Sequence, residues 1–167
     1  VTHEMNFAKN VSSRVFYMDE GIIYEEGKPE QIFDNPQKQK TRAFIMRLKS
    51  FHYDIPIEGF DYVEYLNGID NFCQKNTVER KKRNKINLLS EEMVMTLLRP
   101  LHTNMTVDVQ FPENQETYKV IFNYEGKAYN PLDDKDADEM SLSIVQNSAQ
   151  KIEYNYDNGN NCLTIDI

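Results

Sequence analysis

The chain has 167 residues and a formal net charge of −8, with 27 Asp and Glu against 19 Lys and Arg. This acidity argues against a nucleic-acid surface, because phosphates need a basic footprint. No apolar run approaches the ~20 residues that a membrane-spanning helix requires, and the first residues do not resemble a signal peptide.

The charge is unevenly distributed along the chain. Residues 1–49 carry 8 Lys/Arg against 7 Asp/Glu, and residues 50–167 carry the remaining 11 against 20. The one basic cluster, residues 80–83, is interpreted as a solvated helix start, with contact to anionic lipid or an acidic partner as the alternative. Cys73 and Cys162 lack CxxC spacing and are expected to be reduced thiols.

The first region, residues 1–49, combines helical and strand patterns. In chain order they predict a helix over 5–11, a buried strand over 15–18, a turn at 19–21, a strand over 22–25, a short helix over 29–34 and a helix over 39–49. Gly21 can supply a positive φ in the turn. Pro29 suits a first helical position, and Asn35-Pro36 ends that helix.

Five motifs in this region keep a constant order and spacing: Thr-His-Glu-Met, Arg-Val-x-x-Met-Asp-x-Gly, Glu-x-Gly-x-Pro-Glu-x-Ile-Phe, Asn-Pro and Thr-Arg-x-Phe-Ile. Together they resemble the C-terminal end of the ATP-binding subunits of ABC transporters, most of all those of polar amino-acid importers. The resemblance covers about residues 1–48.

The resemblance implies that His3 is the switch histidine, which contacts the γ-phosphate of ATP in the complete subunit and helps to position the attacking water. It also implies ATP and Mg²⁺ as cofactors, a second ATPase subunit and membrane subunits as partners, and a cytoplasmic location at the inner face of the membrane. Neither GxxxxGK[ST] nor Leu-Ser-Gly-Gly-Gln occurs in the 167 residues. We therefore expect this chain to be the C-terminal part of a larger enzyme and not to hydrolyse ATP alone.

The second region, residues 50–167, has its own pattern. It predicts an edge strand over 51–57, helices over 60–74 and 84–98, strands over 105–111 and 118–124 joined by a turn at Asn114, a helix over 140–149, and strands over 151–156 and 162–167. Pro56 is tolerated only at a sheet edge, and Asp157-Asn158-Gly159-Asn160 is a strong hairpin signal. The predicted fold is an α/β two-layer sandwich, with helices on one face of a mostly antiparallel sheet.

This order is similar to the ATPase fold of histidine kinases, gyrase and anti-sigma-factor kinases. Three segments carry the resemblance: the helix over 89–96, the strand and loop over 121–132 with Glu-Gly-x-x-Tyr-Asn-Pro-Leu, and the closing helix and hairpin over 142–163.

The residues of the predicted nucleotide pocket depart from that family. Glu92 matches the catalytic-base glutamate, but Thr96 stands where a magnesium-binding Asn is expected, and Tyr124 stands where an Asp should bind adenine. Gly126 is retained, whereas residues 140–143 replace the glycine-containing phosphate loop. These departures predict a degenerate site that holds no metal, in which Glu92 is a solvated or capping carboxylate rather than a retained base.

Two classes of function follow for the second region. The first is a non-catalytic regulatory or partner-binding domain appended to the importer subunit. The alternative is an anti-sigma-type serine kinase or an ATP-binding regulatory module. His52 and His102 have no recognisable partner pattern and are expected to be structural or surface residues.

Overall fold

The computed structural model describes residues 5–45, 48–113 and 115–167. The chain divides into two compact units, Val1–Lys49 and Ser50–Ile167. His3, the switch histidine that the resemblance predicts, and the predicted turn residue Asn114 lie outside the described residues. Among the described residues, no helix is both long and apolar enough to cross a membrane.

In its described residues, the first unit is a strand hairpin with three short helices. Its elements are α1 (Met5–Val11), β1 (Val15–Asp19), β2 (Ile22–Gly27), α2 (Pro29–Asp34) and α3 (Gln39–Ile45). β1 and β2 pair antiparallel around a turn in which Glu20 and Gly21 have φ values of 49° and 78°. Pro29 occupies the first turn of α2, as its fixed φ predicts.

The predicted burial of β1 is wrong. Phe16 and Met18 are 48% and 55% exposed, and Ile23, which pairs with Met18, is 51% exposed. An isolated two-stranded ribbon has too little neighbouring structure to cover both faces. The last predicted helix is also shorter than expected: α3 ends at Ile45, and Lys49 already belongs to the next strand.

The second unit is an α/β sandwich. Its strands are β3 (Lys49–Ile55), β4 (Met105–Phe111), β5 (Lys119–Glu125), β6 (Lys151–Asp157) and β7 (Asn160–Asp166). They form one sheet in the order β3-β4-β5-β7-β6, in which the β4–β5, β5–β7 and β6–β7 pairs are antiparallel. The predicted edge position of the first strand is confirmed, and Pro56 lies just beyond its end.

The helices cover one face of this sheet. They are α4 (Tyr62–Lys75), α5 (Arg80–Glu91) and α6 (Glu139–Ser148), with short 3₁₀ turns at Arg99–Leu101 and Pro131–Asp133. On β5 the residues Val120, Phe122 and Tyr124 are buried, while the alternate positions are less so. This period of two places the hydrophobic core between sheet and helices and leaves the opposite sheet face polar.

The helix predicted over 84–98 begins earlier and changes form. α5 starts at Arg80, so the basic cluster forms its first turn, and Glu92–Leu98 continues as a π-helix. Met93 and Leu97 are buried as predicted. On α4, by contrast, the predicted buried residue Val63 is 62% exposed, because the buried face runs through Tyr65, Ile69 and Cys73 instead.

Candidate functional site

Glu92 is the centre of a small hydrogen-bond network between two helices. Its Oε2 accepts a hydrogen bond from Ser141 Oγ at 2.6 Å and a weaker one from Thr96 Oγ1 at 3.3 Å. Glu92 and Thr96 lie four residues apart in the π-helical segment, while Ser141 is buried on α6. The Glu92 carboxylate therefore already accepts hydrogen bonds from two hydroxyl groups of the chain, and it bridges the two helices.

The segment predicted to replace a phosphate loop is helical. Residues 140–143 lie in the first turn of α6, and Asp138 caps that turn by accepting a hydrogen bond from Ser141 N at 2.8 Å. The backbone hydrogen bond from Ser141 is the main cause that holds the pKa of Asp138 below its ordinary value. The backbone amide that points out of this helix end thus already has an anionic partner.

Tyr124 is a buried core residue. It lies on the helix-facing side of β5 and is 2% exposed, and its hydroxyl donates to the carbonyl of Tyr129 at 2.7 Å. Burial raises the pKa of this phenol well above its ordinary value. A neutral tyrosine whose single donor is already engaged cannot replace a carboxylate that accepts a hydrogen bond from an adenine amino group.

Gly126 begins the loop after β5. Its φ is 134°, and its N–H donates to the carbonyl of Gly159 at 2.9 Å. A Cβ at this position would meet no atom within 4 Å. Glycine is therefore required here by backbone conformation and not by close approach of another group.

Asn161 is the residue that organises this loop, and the sequence did not point to it. Its Oδ1 accepts from Tyr129 N at 2.9 Å and from Tyr154 Oη at 2.7 Å. Its Nδ2 donates to the carbonyls of Tyr124 at 3.2 Å and Lys127 at 3.1 Å. A buried amide with every donor and acceptor site engaged is a rigid anchor. The only available signal was an Asn at an inward-facing strand position.

The predicted pocket positions fall into two groups. Hydrogen bonds join Glu92 with Thr96 and Ser141, and others join Tyr124 with Tyr129 next to Gly126, but none that the described residues make connects one group with the other. The described part of the chain also holds no group of three or more His, Cys, Asp or Glu side chains suited to a metal ion.

A groove of about 370 Å³ lies at one end of the sheet. Its wall includes Tyr124, but neither Glu92 nor Thr96. Besides the hydroxyl side chains of Thr106 and Tyr124, its polar side chains are two carboxylates and three amides: Asp54, Glu125, Asn104, Asn123 and Asn160. The groove offers no cationic side chain to a phosphate group, so its chemistry differs from that of a nucleotide site.

The polar face of the sheet carries a histidine between two carboxylates. His52 Nδ1 lies 2.8 Å from Asp108 Oδ1, and His52 Nε2 lies 3.3 Å from Asp54 Oδ1. The hydrogen bond to Asp108 is the main cause that raises the pKa of His52. The sequence showed no partner pattern for His52. This contact could not be seen there, because Asp108 lies on the neighbouring strand.

In the first unit, Glu25 fixes the approach to α3. Its carboxylate accepts from the backbone N–H of Gln37 at 2.8 Å and of Lys38 at 3.0 Å. Burial alone would favour the protonated acid, but these hydrogen bonds hold the pKa of Glu25 below its ordinary value. Glu25 therefore connects the Glu-x-Gly-x-Pro motif to the Asn-Pro turn, two motifs that are separated in sequence.

Comparison with known proteins finds similarity for part of the chain. It is 52% identical over 48 residues to the L-cystine import ATP-binding protein TcyN of Bacillus subtilis, which is 29% of this chain and 18% of that protein. It is 53% identical over 45 residues to the histidine/lysine/arginine/ornithine transport ATP-binding protein HisP of Salmonella typhimurium, 27% of this chain and 17% of that protein. The glutamine transport ATP-binding protein GlnQ of Geobacillus stearothermophilus is 46% identical over 48 residues, which is 20% of its length.

Part of this chain is similar to ATP-binding subunits of amino-acid ABC transporters. The chain spans about a fifth of the length of these relatives. No family model matches the chain.

Proposed function

We propose that residues 1–48 form the C-terminal end of an ATP-binding subunit of an amino-acid ABC importer, and that residues 50–167 form an appended, non-catalytic regulatory or partner-binding domain. The observation that carries the first part is the identity of about 50% over 48 residues to several such subunits. The ordered motif string over residues 1–48 has the same length, so we infer that it is the matched segment.

The surface of the first unit supports this assignment. One face of its hairpin presents Phe16, Met18 and Ile23, all about half exposed or more. Contiguous apolar side chains of this kind mark a surface that another protein segment covers. In the proposed subunit, the rest of the ATP-binding domain would cover this face.

The role proposed for His3 is that of the γ-phosphate switch histidine. An imidazole can donate a hydrogen bond to the charge that develops on the transferred phosphoryl group. ATP would be bound by a phosphate loop, a motif that does not occur in the 167 residues, and Mg²⁺ by a carboxylate of the complete subunit. The proposed partners are a second ATPase subunit and the membrane subunits, at the cytoplasmic face of the cell membrane.

A chimera tests the first part. The segment of the L-cystine import ATP-binding protein that matches this chain is replaced by residues 1–48, and ATP hydrolysis is measured in the assembled transporter. The chimera should remain active, His3→Ala should lower the rate about 100-fold, and Lys9→Ala, a surface change in α1, should leave it unchanged. An active chimera that tolerates His3→Ala would contradict the role of His3.

The reading frame ahead of Val1 provides an independent check that needs no folded chimera. A phosphate loop followed by a Leu-Ser-Gly-Gly-Gln signature in that frame supports the importer assignment. A frame that encodes residues before Val1 without those motifs would remove it.

The proposed non-catalytic role of the second unit rests on its pocket residues. Glu92 is bonded to Thr96 and Ser141, Asp138 occupies the end of α6, and Tyr124 is buried. The residues present thus fit internal packing better than they fit ATP with Mg²⁺. A regulatory domain needs only a surface that recognises a partner, and the acidic charge of this unit favours a basic one.

Calorimetric titration of the whole chain with ATP and Mg²⁺ distinguishes the alternative. The proposal expects no saturable binding up to millimolar nucleotide, and no change when Mg²⁺ is chelated. Micromolar, magnesium-dependent binding would overturn it and favour the anti-sigma-type serine kinase or an ATP-binding regulatory module.

A further inference from the structure

β6 is the outermost strand at one end of the five-stranded sheet. It follows β7 in the order β3-β4-β5-β7-β6 and runs from Lys151 to Asp157. Most of its residues are exposed, and Tyr156 is 41% exposed. The outer edge of such a strand presents a row of backbone donors and acceptors that another strand can pair with.

The turn at the end of β6 determines which residues direct their backbone groups outward. Asp157 pairs with Asn160 across a two-residue turn in which Asn158 and Gly159 have φ values of 48° and 87°. Such a turn closes with a hydrogen-bonded pair, and hydrogen-bonded and non-bonded pairs then alternate along the ladder. Lys151, Glu153, Asn155 and Asp157 therefore face β7. The outward-directed residues are Ile152, Tyr154 and Tyr156.

We propose that this edge pairs with the same edge of a second copy of the chain, antiparallel, with Tyr154 opposite Tyr154. In that register Ile152 lies opposite Tyr156, so the outward-directed residues meet one another and exchange their backbone hydrogen bonds. The two five-stranded sheets become one continuous sheet around a two-fold axis, and the helices of both copies lie on the same side.

Charge complementarity selects this register. Residues directly opposite in an antiparallel pair point to the same face, so Lys151 of each copy meets Asp157 of the other on the polar face. A shift in one direction would place Glu153 opposite Glu153. A shift in the other direction would place Glu153 opposite Asp157. Both alternatives bring like charges together, which destabilises a strand pair.

The opposite face of the strand adds an apolar contact. Ile152 and Tyr154 are partly buried and pack against the core, and Tyr156 continues their row toward the hairpin. Pairing the edges would cover the exposed part of these side chains in both copies. The interface remains smaller than a standard one, so the dimer should be weak and depend on protein concentration.

The test is sedimentation of the whole chain from about 5 to about 500 µM, with variants that reverse the edge charges. Asp157→Lys places Lys opposite Lys151 and should weaken the dimer about tenfold, as should Lys151→Asp, which places Asp opposite Asp157. The double variant restores opposite charges between the copies and should recover most of the lost affinity. Recovery is incomplete because Lys151→Asp also removes the ion pair of 2.7 Å between Lys151 and Glu153. Lys135→Asp, an equal charge change in an exposed loop, is the matched control and should leave the dissociation constant unchanged.

Amide hydrogen exchange reports the register directly. At high concentration the amides of Ile152, Tyr154 and Tyr156 should gain protection, while those of Glu153 and Asn155, already bonded to β7, should not change. A cooperative thermal unfolding transition for each variant is the check that the substitution leaves the chain folded.

A chain that stays monomeric at about 500 µM overturns the proposal. A double variant that stays as weak as the single variants, or assembly that continues beyond a dimer, does so as well. The proposal is independent of the importer assignment, since it depends only on β6 and its hairpin.

Discussion

Ser141 on α6 donates a hydrogen bond of 2.6 Å to Glu92, which lies 49 residues earlier in the chain. The sequence resemblance predicted a catalytic base at Glu92 and a replaced phosphate loop around Ser141. In the folded chain the two side chains instead join one helix to another. This contact gives Glu92 a structural role that does not depend on a bound nucleotide.

Removing the Ser141 hydroxyl should destabilise the second unit modestly. Ser141→Ala deletes a buried donor but leaves Glu92 with Thr96 and solvent, so the expected loss is about 1 kcal/mol in the free energy of unfolding. Urea denaturation measures it. Ser143→Ala, an exposed serine on the same helix, is the control and should cost less than about 0.5 kcal/mol.

Asn161 should be far more costly to replace. Asn161→Ala leaves the N–H of Tyr129 and the carbonyls of Tyr124 and Lys127 without their partner, so we expect a loss of about 3 kcal/mol in the free energy of unfolding. Asn155→Ala, an exposed asparagine on the adjacent strand, is the matched control at low protein concentration. Equal effects of the two substitutions would show that Asn161 does not anchor the loop.

His52 should make stability depend on pH. Its pKa in the folded chain is raised above 6.5, mainly by the hydrogen bond to Asp108, so its contribution is fully present below pH 6.5 and is lost as the pH rises through the folded value. The difference in unfolding free energy between the original chain and His52→Gln should therefore shrink from pH 5.5 to pH 8.5.

His102 is the internal control for that measurement. It is exposed and has a φ of 48°, which asparagine tolerates, so His102→Asn keeps the backbone conformation. The pH profile of His102→Asn is measured beside that of His52→Gln. A His52→Gln profile that runs parallel to that of the original chain would contradict the role of the Asp108 contact.

Glu25 should control the order of the turn before α3. Glu25→Gln keeps the size of the side chain but weakens the acceptor for the amides of Gln37 and Lys38, whose hydrogen exchange should accelerate about tenfold. The lowered pKa of Glu25 gives the same effect in the original chain as the pH falls through the folded value. Glu26→Gln, an exposed neighbour, should leave both amides unchanged.

Local patterns predicted most elements of the fold. The hairpin at Asp157–Asn160 is confirmed, because turn chemistry acts over a few residues. The edge position of the strand before Pro56 is also confirmed, although Pro56 itself lies beyond the end of the strand. The π-helix at Glu92–Leu98 could not be predicted, since its apolar spacing also fits an α-helix. Burial was predicted less well: Val63 is exposed because only packing decides which helix face turns inward.

The contacts of the candidate site were also hard to predict from the sequence, because they join residues that are far apart in the chain. The amino-acid order alone was enough to find the importer-like motif string and the Thr at position 96 where the predicted fold would have Asn, since both depend only on residue identity and spacing. Folding alone placed Ser141 on Glu92, Asn161 beneath the loop and Asp108 beside His52. Those contacts join residues from different elements, and hydrogen bonds between distant parts of a chain depend on how strands pair and helices pack.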